Sequence, residues 1–214
     1  AQSALFGSEA AGPDAPSIAI QWGEAPSRTT FDEALEMGLI APISSFTTEY
    51  NDSPSTANRR HNIHAAADLL NNSIARADGG EWSFNDTVGE ANEEAGFQAA
   101  HAIINGEYDD AIGGGICQVA STIYTACLYA DLKVTDRAPH MFTVTYVQLG
   151  MDATIYWGSQ DYKFVNSTDH PLRIDASVSG GYVHVKLVGT APKDKGYDHI
   201  VLRHEVVATI QPKM

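Results

Sequence analysis

The chain has 214 residues, with Lys+Arg 13 against Asp+Glu 27 and a formal net charge of -14. A negative field of that size argues against nucleic acid or an anionic lipid surface as the main partner. Hydrophobic content of 43% and charged content of 19% suit a folded domain with one good core, and no apolar run reaches the ~20 residues of a membrane-spanning helix.

Ala1-Gln2-Ser3-Ala4-Leu5 has no initiator Met, no basic region and no apolar segment of a signal peptide. The expectation is a secreted or surface chain whose signal or anchor has been removed, or a piece of a longer protein. Residues 1–42 carry Gly, Pro, Ser and Ala with only short apolar runs. They are read as an N-terminal arm or the remnant of a preceding module, and 43–214 as the main domain. Ile43 to Tyr50 reads as a strand, ended by Asn51-Asp52-Ser53-Pro54.

From about Thr56 to Ala77, Ile63, Ala66, Ala67, Leu70 and Ile74 recur at helical steps and predict one amphipathic helix. Arg59, Arg60, His61 and His64 crowd its first turns, where basic groups oppose the helix dipole and need a carboxylate or a ligand as a reason. Trp82 to Asn85 alternates as a short strand, Asn92 to Ala99 is short and helical or irregular, and Ile103 to Glu107 is a strand and turn.

Gly113-Gly114-Gly115-Ile116-Cys117-Gln118 then opens a helix to about Ala130. Three glycines allow a sharp turn and a close approach that a Cβ would block, here read as room for a substrate carbonyl. A cysteine in the first helical turn meets unpaired N–H groups and the positive end of the dipole, which favour the reactive thiolate. Ser121, Tyr124 and Leu128 share its helix face. Cys127 lies ten residues on, about 15 Å of rise away, so the two thiols cannot bridge, and Cys127 reads as an apolar filler. The spacing of Cys, His, Asp and Glu offers no zinc-type ligand set, and no metal or cofactor is expected.

Met141 to Val147 and Asp152 to Trp157 read as two strands of a hairpin turning at Gly150. Further strands are expected at 162–166, 172–178, 182–188 and 200–210. Helices followed by antiparallel strands give an α+β fold, helices packed on an antiparallel sheet. A cysteine nucleophile needs a base and a group orienting that base. Of the eight histidines, His140 opens the strand directly after the Cys117 helix and is the candidate base. A turn centred between Gly150 and Met151 puts Asp161 opposite His140. The same register leaves Asp152 near the far tip, about 25 Å away at ~3.3 Å per residue, where it reads as a turn residue.

Residues 60–189 resemble the VanW-like family. The resemblance rests on Asn62-Ile63, Ala65-Ala66, Trp82-Ser83-Phe84-Asn85, Gly96-Phe97 and the Gly113 to Val119 core. It continues through Ser121-Thr122-Ile123-Tyr124, His140, Tyr146, Gly150, Asp152-Ala153-Thr154, Asp161, Phe164 and Asn166. It implies an extracytoplasmic, cell-envelope setting linked by name to vancomycin resistance. A second resemblance, Gly-x-Cys at a helix start followed by His and Asp on strands, is to transglutaminase-like and papain-like cysteine enzymes. That order implies acyl transfer on cell-wall peptide or surface-protein amides. Cys117, His140 and Asp161 would be catalytic. Gly115, Gln118, Ser121, Tyr124, Asp152, Arg60 and Asn62 would support the site or bind substrate, and amides near Ile116 to Gln118 would hold the oxyanion. The alternative is a non-catalytic wall-binding or scaffold domain with a tightly packed thiol.

Overall fold

The computed structural model describes residues 31–208 apart from 52, 54–55, 105–106, 192–195, 197–198 and 206, with backbone alone for 31, 101–104 and 107–109. Most of the proposed arm, 1–30, lies outside these residues, as does the end of the expected strand at 209–210. The elements run α1 (Phe31–Glu36), β1 (Ala41–Glu49), α2 (Ala57–Leu70), β2 (Ser73–Ala75), β3 (Glu81–Ser83), α3 (Phe84–Val88), β4 (Ala99–Ile104), β5 (Glu107–Ile112), α4 (Ile116–Tyr129), β6 (Lys133–Asp136), β7 (Lys163–Val165), β8 (Leu172–Ser179) and β9 (Tyr182–Gly189).

Among the described residues the strands make three open antiparallel sheets, ordered β1-β9-β8-β2, β3-β7-β6 and β4-β5. The α+β expectation therefore stands at the level of helices with antiparallel sheets. Nothing in these open sheets carries a transglutaminase-like or papain-like topology.

Helix α2 presents Ile63, Ala66, Ala67 and Leu70, all fully buried, to β8 and α4. The expected run to Ala77 stops early: Asn71 turns extended, and Asn72 takes φ 66°, a left-handed conformation that asparagine tolerates. Ile74, assigned to the helix stripe, instead lies on β2 and is exposed. Strands β8 and β9 alternate as their sequence demands, burying Leu172, Ile174 and Ala176 against Val183, Val185 and Leu187. Trp82, Tyr162 and Phe164 form a cluster of contacting rings on the second sheet.

Helix α4 is the axis of the domain, touching β1, β9, β6 and α2. Val119, Ala120, Ile123, Ala126 and Cys127 are fully buried, and so are Ser121, Thr122 and Thr125. Those three hydroxyls donate to the carbonyls four residues back, of Cys117, Gln118 and Ser121, so their burial leaves no unpaired donor.

The expected hairpin of 141–149 with 152–157 does not form. Residues 139–150 loop irregularly, and 151–157 makes only isolated bridges, Ala138 with Thr154 and Tyr156 with Gln160. The described part of 200–208 is likewise not a strand.

Candidate functional site

Gly115 caps α4 at φ 112°, and Cys117 is the second helical residue. The glycines make room for the chain itself. A Cβ on Gly114 would overlap the Ala100 carbonyl, and one on Gly115 would sit 3.0 Å from Arg59 Cγ and 3.1 Å from Ile63 Cγ1. The space read as a substrate berth is thus filled by β4 and α2. Asn62 locks the turn, donating to Gln98 O at 2.8 Å and Gly114 O at 3.0 Å and accepting from Gln98 N–H at 2.8 Å. It is a buried clamp for the turn. Two of the three amides expected to hold an oxyanion are also in use: Ile116 N–H donates to Gly113 O at 3.1 Å and Gln118 N–H to Gly115 O at 3.0 Å.

The extended segment 150–155 runs antiparallel along α4, held to helix side chains in place of a strand partner. Ile155 N–H reaches Cys117 Sγ at 3.4 Å, and Sγ lies 3.6 Å from Ile155 O. Ser121 Oγ accepts from Ala153 N–H at 2.9 Å, Thr125 Oγ1 donates to Met151 O at 3.1 Å, and Tyr124 Oη donates to Gly150 O at 3.4 Å. Met151, Ala153 and Ile155 face inward and are buried. The alternate residue Asp152 is thereby turned toward the chain before the loop.

That chain carries Arg137 and His140. The Ala138–Thr154 bridge sets the register, and two residues onward His140 stands opposite Asp152. Asp152 Oδ2 accepts both the backbone N–H of His140 and its ring Nδ1, each at 2.7 Å, while Oδ1 accepts Arg137 Nη2 at 2.8 Å. The His140 and Asp152 side chains are 9% and 11% exposed. Asp161 is elsewhere: it accepts Ser83 Oγ at 2.6 Å, Asn85 N–H at 3.0 Å and Tyr162 N–H at 2.8 Å, pinning the β3–α3 corner to β7. The assignment of Asp161 beside His140 is therefore corrected to Asp152. The expected two-residue turn is in fact a loop from 139 to 150, and that moves the register.

Burial works against a charged His140, but the bond to Asp152 and the hydrogen bonding and charge of Cys117 outweigh it and raise its pKa to about 9. Burial likewise opposes ionisation of Asp152, and the His140 bonds and Arg137 overcome it, leaving a pKa of about 2. The pair is an ion pair at neutral pH. Tyr146 returns from the loop with its ring nearly perpendicular to that of His140, centroids 6.4 Å apart, and a hydrogen bond to Ser121. Burial, then the charge of Cys117, pushes its phenol well up, so it stays protonated.

Gln118 is buried, donating to Thr48 Oγ1 at 3.1 Å and Glu49 O at 2.9 Å and accepting Arg59 Nη2 at 2.9 Å. Arg60 is half-buried one position on along α2. Tyr124 receives Arg137 over its ring at 5.3 Å. Arg59, Arg137 and Tyr146 were not among the expected site residues, although the basic crowd at the start of α2 and the arginine just before Pro139 were signals.

Two cavities lie nearby. One of about 250 Å³ is lined by Arg137, His140, Asp152 and the 141–150 loop, and one of about 430 Å³ by Tyr124, Leu128, the 149–151 turn and 202–205. Cys117 lines neither. Both cysteines are free thiols, and burial pushes Cys127 up to about 12. Among the described residues no three His, Cys, Asp or Glu side chains cluster as a metal site, and no helix is long and apolar enough to cross a membrane.

Fold and site define an α+β domain with a cysteine at the head of its central helix and a histidine–carboxylate pair beside it. The chain belongs to the VanW-like family, whose model, described as "VanW like protein", matches residues 58–188. It is similar to the uncharacterized protein YoaR of Bacillus subtilis (strain 168), 34% identical over 176 residues, 78% of this chain and 57% of that protein. It is also similar to the vancomycin B-type resistance protein VanW of Enterococcus faecalis (strain ATCC 700802 / V583). There the identity is 27% over 143 residues, 64% of this chain and 50% of that protein. The chain thus spans about half the length of the curated relatives it matches. No solved structure matches it significantly.

Proposed function

We propose that the domain is an extracytoplasmic, cysteine-dependent acyl-transfer enzyme acting on peptide or protein amides of the cell envelope. The observation that carries this is the His140 ring, bonded through Nδ1 to Asp152 at 2.7 Å while Cys117 acts on the same ring. With Nδ1 occupied, Nε2 is left for the sulfur. A histidine whose pKa reaches about 9 is already imidazolium at neutral pH, so it serves first as the acid. The thiolate of Cys117 adds to the amide carbonyl and the π electrons move to oxygen. The oxyanion collapses, the C–N bond breaks, and His140 gives its proton to the departing nitrogen. The neutral imidazole then takes a proton from the water or amine that displaces Cys117 from the thioester. Asp152 holds the tautomer throughout.

The comparisons taken alone back a different reading better, a non-catalytic wall-binding or scaffold domain. They reach the family and stop there, since neither relative's name states a reaction. The bonding of Cys117 Sγ to Ile155, and its absence from both cavities, also favour that reading. Iodoacetamide labelling of the native protein, read by peptide mass, separates the two. Acyl transfer expects Cys117 to label much faster than buried Cys127, and His140→Ala to slow it. Labelling of Cys117 only after denaturation rejects the enzyme and leaves the scaffold.

A further inference from the structure

We infer that Arg59, aimed by Gln118 and joined by the Tyr146 hydroxyl, is the anion-binding group of the Cys117 site and receives the oxyanion of a tetrahedral adduct. This rests on the acyl-transfer reading. It begins from a shortage, because two of the three amides at the helix head, those of Ile116 and Gln118, already donate within the turn and leave only that of Cys117. One amide does not satisfy a developing oxyanion, which needs further donors from elsewhere.

Arg59 supplies them. Its stem packs over Gly115, two residues before Cys117, and its Nη2 is fixed on the buried oxygen of Gln118, one residue after. Gln118 is itself immobilised by Thr48 and the Glu49 carbonyl, and Thr48 is bonded to Thr122 at 2.8 Å. Among the described residues no carboxylate pairs with Arg59, although Arg59 is half-buried, whereas Arg137 and Arg173 in the same domain each hold an aspartate. A desolvated cation held by a neutral amide costs stability unless an anion visits it. The titratable groups near enough to act on it are Cys117 and Tyr146. Burial keeps the Tyr146 phenol protonated and so a donor, hydrogen-bonded to Ser121, which also fixes Ala153. Arg59 and Tyr146 therefore bring N–H and O–H donors to the Cys117 site while His140 and Asp152 serve proton transfer.

Two electrophiles that share the nucleophile but differ in the adduct test this on the whole chain. Iodoacetamide is displaced at carbon, with iodide leaving and no oxyanion formed. p-Nitrophenyl acetate is attacked at its carbonyl, passes through an oxyanion, and leaves acetyl on sulfur with release of p-nitrophenolate. Arg59→Gln is expected to lower Cys117-dependent acetylation about 10²-fold, the usual loss for one oxyanion donor, with alkylation changed far less. Tyr146→Phe should show the same asymmetry at smaller size, and Arg59→Lys should recover part of the loss. Near-UV circular dichroism checks that each variant is folded, and Tyr146→Phe, an isosteric change, decides if Arg59→Gln is not. Parallel loss of both reactions, or acetylation unchanged in Arg59→Gln and Tyr146→Phe, overturns the inference and leaves the enzyme reading intact. Wild-type acetylation no faster than that of Cys117→Ala removes the acyl-transfer reading, and this inference with it.

Discussion

His140 and Asp152 hold opposite charges at neutral pH, and each depends on the other for it. The folded pKa of His140, about 9, is above its usual 6.5, so its contribution to stability is complete below about 6.5 and disappears as pH rises through about 9. Asp152, at about 2 against a usual 3.8, contributes above about 3.8 and loses that contribution as pH falls toward about 2. The melting-temperature gap between wild type and His140→Ala should therefore be widest near pH 5–6 and shrink by about pH 10. A gap that grows with alkalinity would contradict the ion pair. Because Cys117 is one cause of the elevation, Cys117→Ala should lower the His140 midpoint followed by NMR. The two aspartates separate on the same scale. Asp152→Asn should slow Cys117 labelling by ~10²-fold or more through the wrong tautomer and a lost charge. Asp161→Ala should leave labelling near wild type and cost about 2–3 kcal/mol in urea unfolding by stranding Ser83 Oγ and two amides.

At the scale of elements, legibility followed periodicity. Strands β8 and β9 bury alternate residues and α2 buries every third or fourth, so both were readable from hydrophobic pattern, as was the start of α4 from its glycines. The 151–157 segment also alternates, but its partner is a helix: Ser121, Thr125 and Cys117 satisfy backbone groups that a strand would satisfy by a ladder. Alternation reports which face is buried and not what buries it. That Cys117 and His140 come together was thus legible, and the carboxylate beside them was lost to a loop whose length no local pattern fixes. The turn offers its own test. Gly114→Ala would drive a methyl into the Ala100 carbonyl, a backbone atom with no freedom to yield. Thermal unfolding should show destabilisation of at least about 2–3 kcal/mol, and Cys117 labelling should lose its advantage over Cys127.

Over the whole molecule, a formal charge of -14 across 214 residues is a self-repulsion that the fold carries at all times. Salt screens such repulsion over about 10 Å at 0.1 M. The melting temperature should therefore rise by a few degrees between about 20 mM and about 500 mM sodium chloride. A fall would mean that favourable surface pairs outweigh the excess of acid. The same field bears on which polymers approach: anionic ones are repelled, and neutral or cationic peptides are not.

The hydroxyl ladder between α4 and residues 150–155 makes the helix a ruler for the site. Cys117 and the His140–Asp152 pair are indexed to one another by side chains spaced along a single rod. A one-residue insertion within 141–145 has slack to absorb it, because both ends of the loop are pinned. The same insertion between Asp152 and Ile155 would shift the carboxylate by a full notch relative to the sulfur. Evolution is therefore free to rewrite the rim of this site by lengthening a loop, while the two residues between its carboxylate and its thiol contact must keep their count.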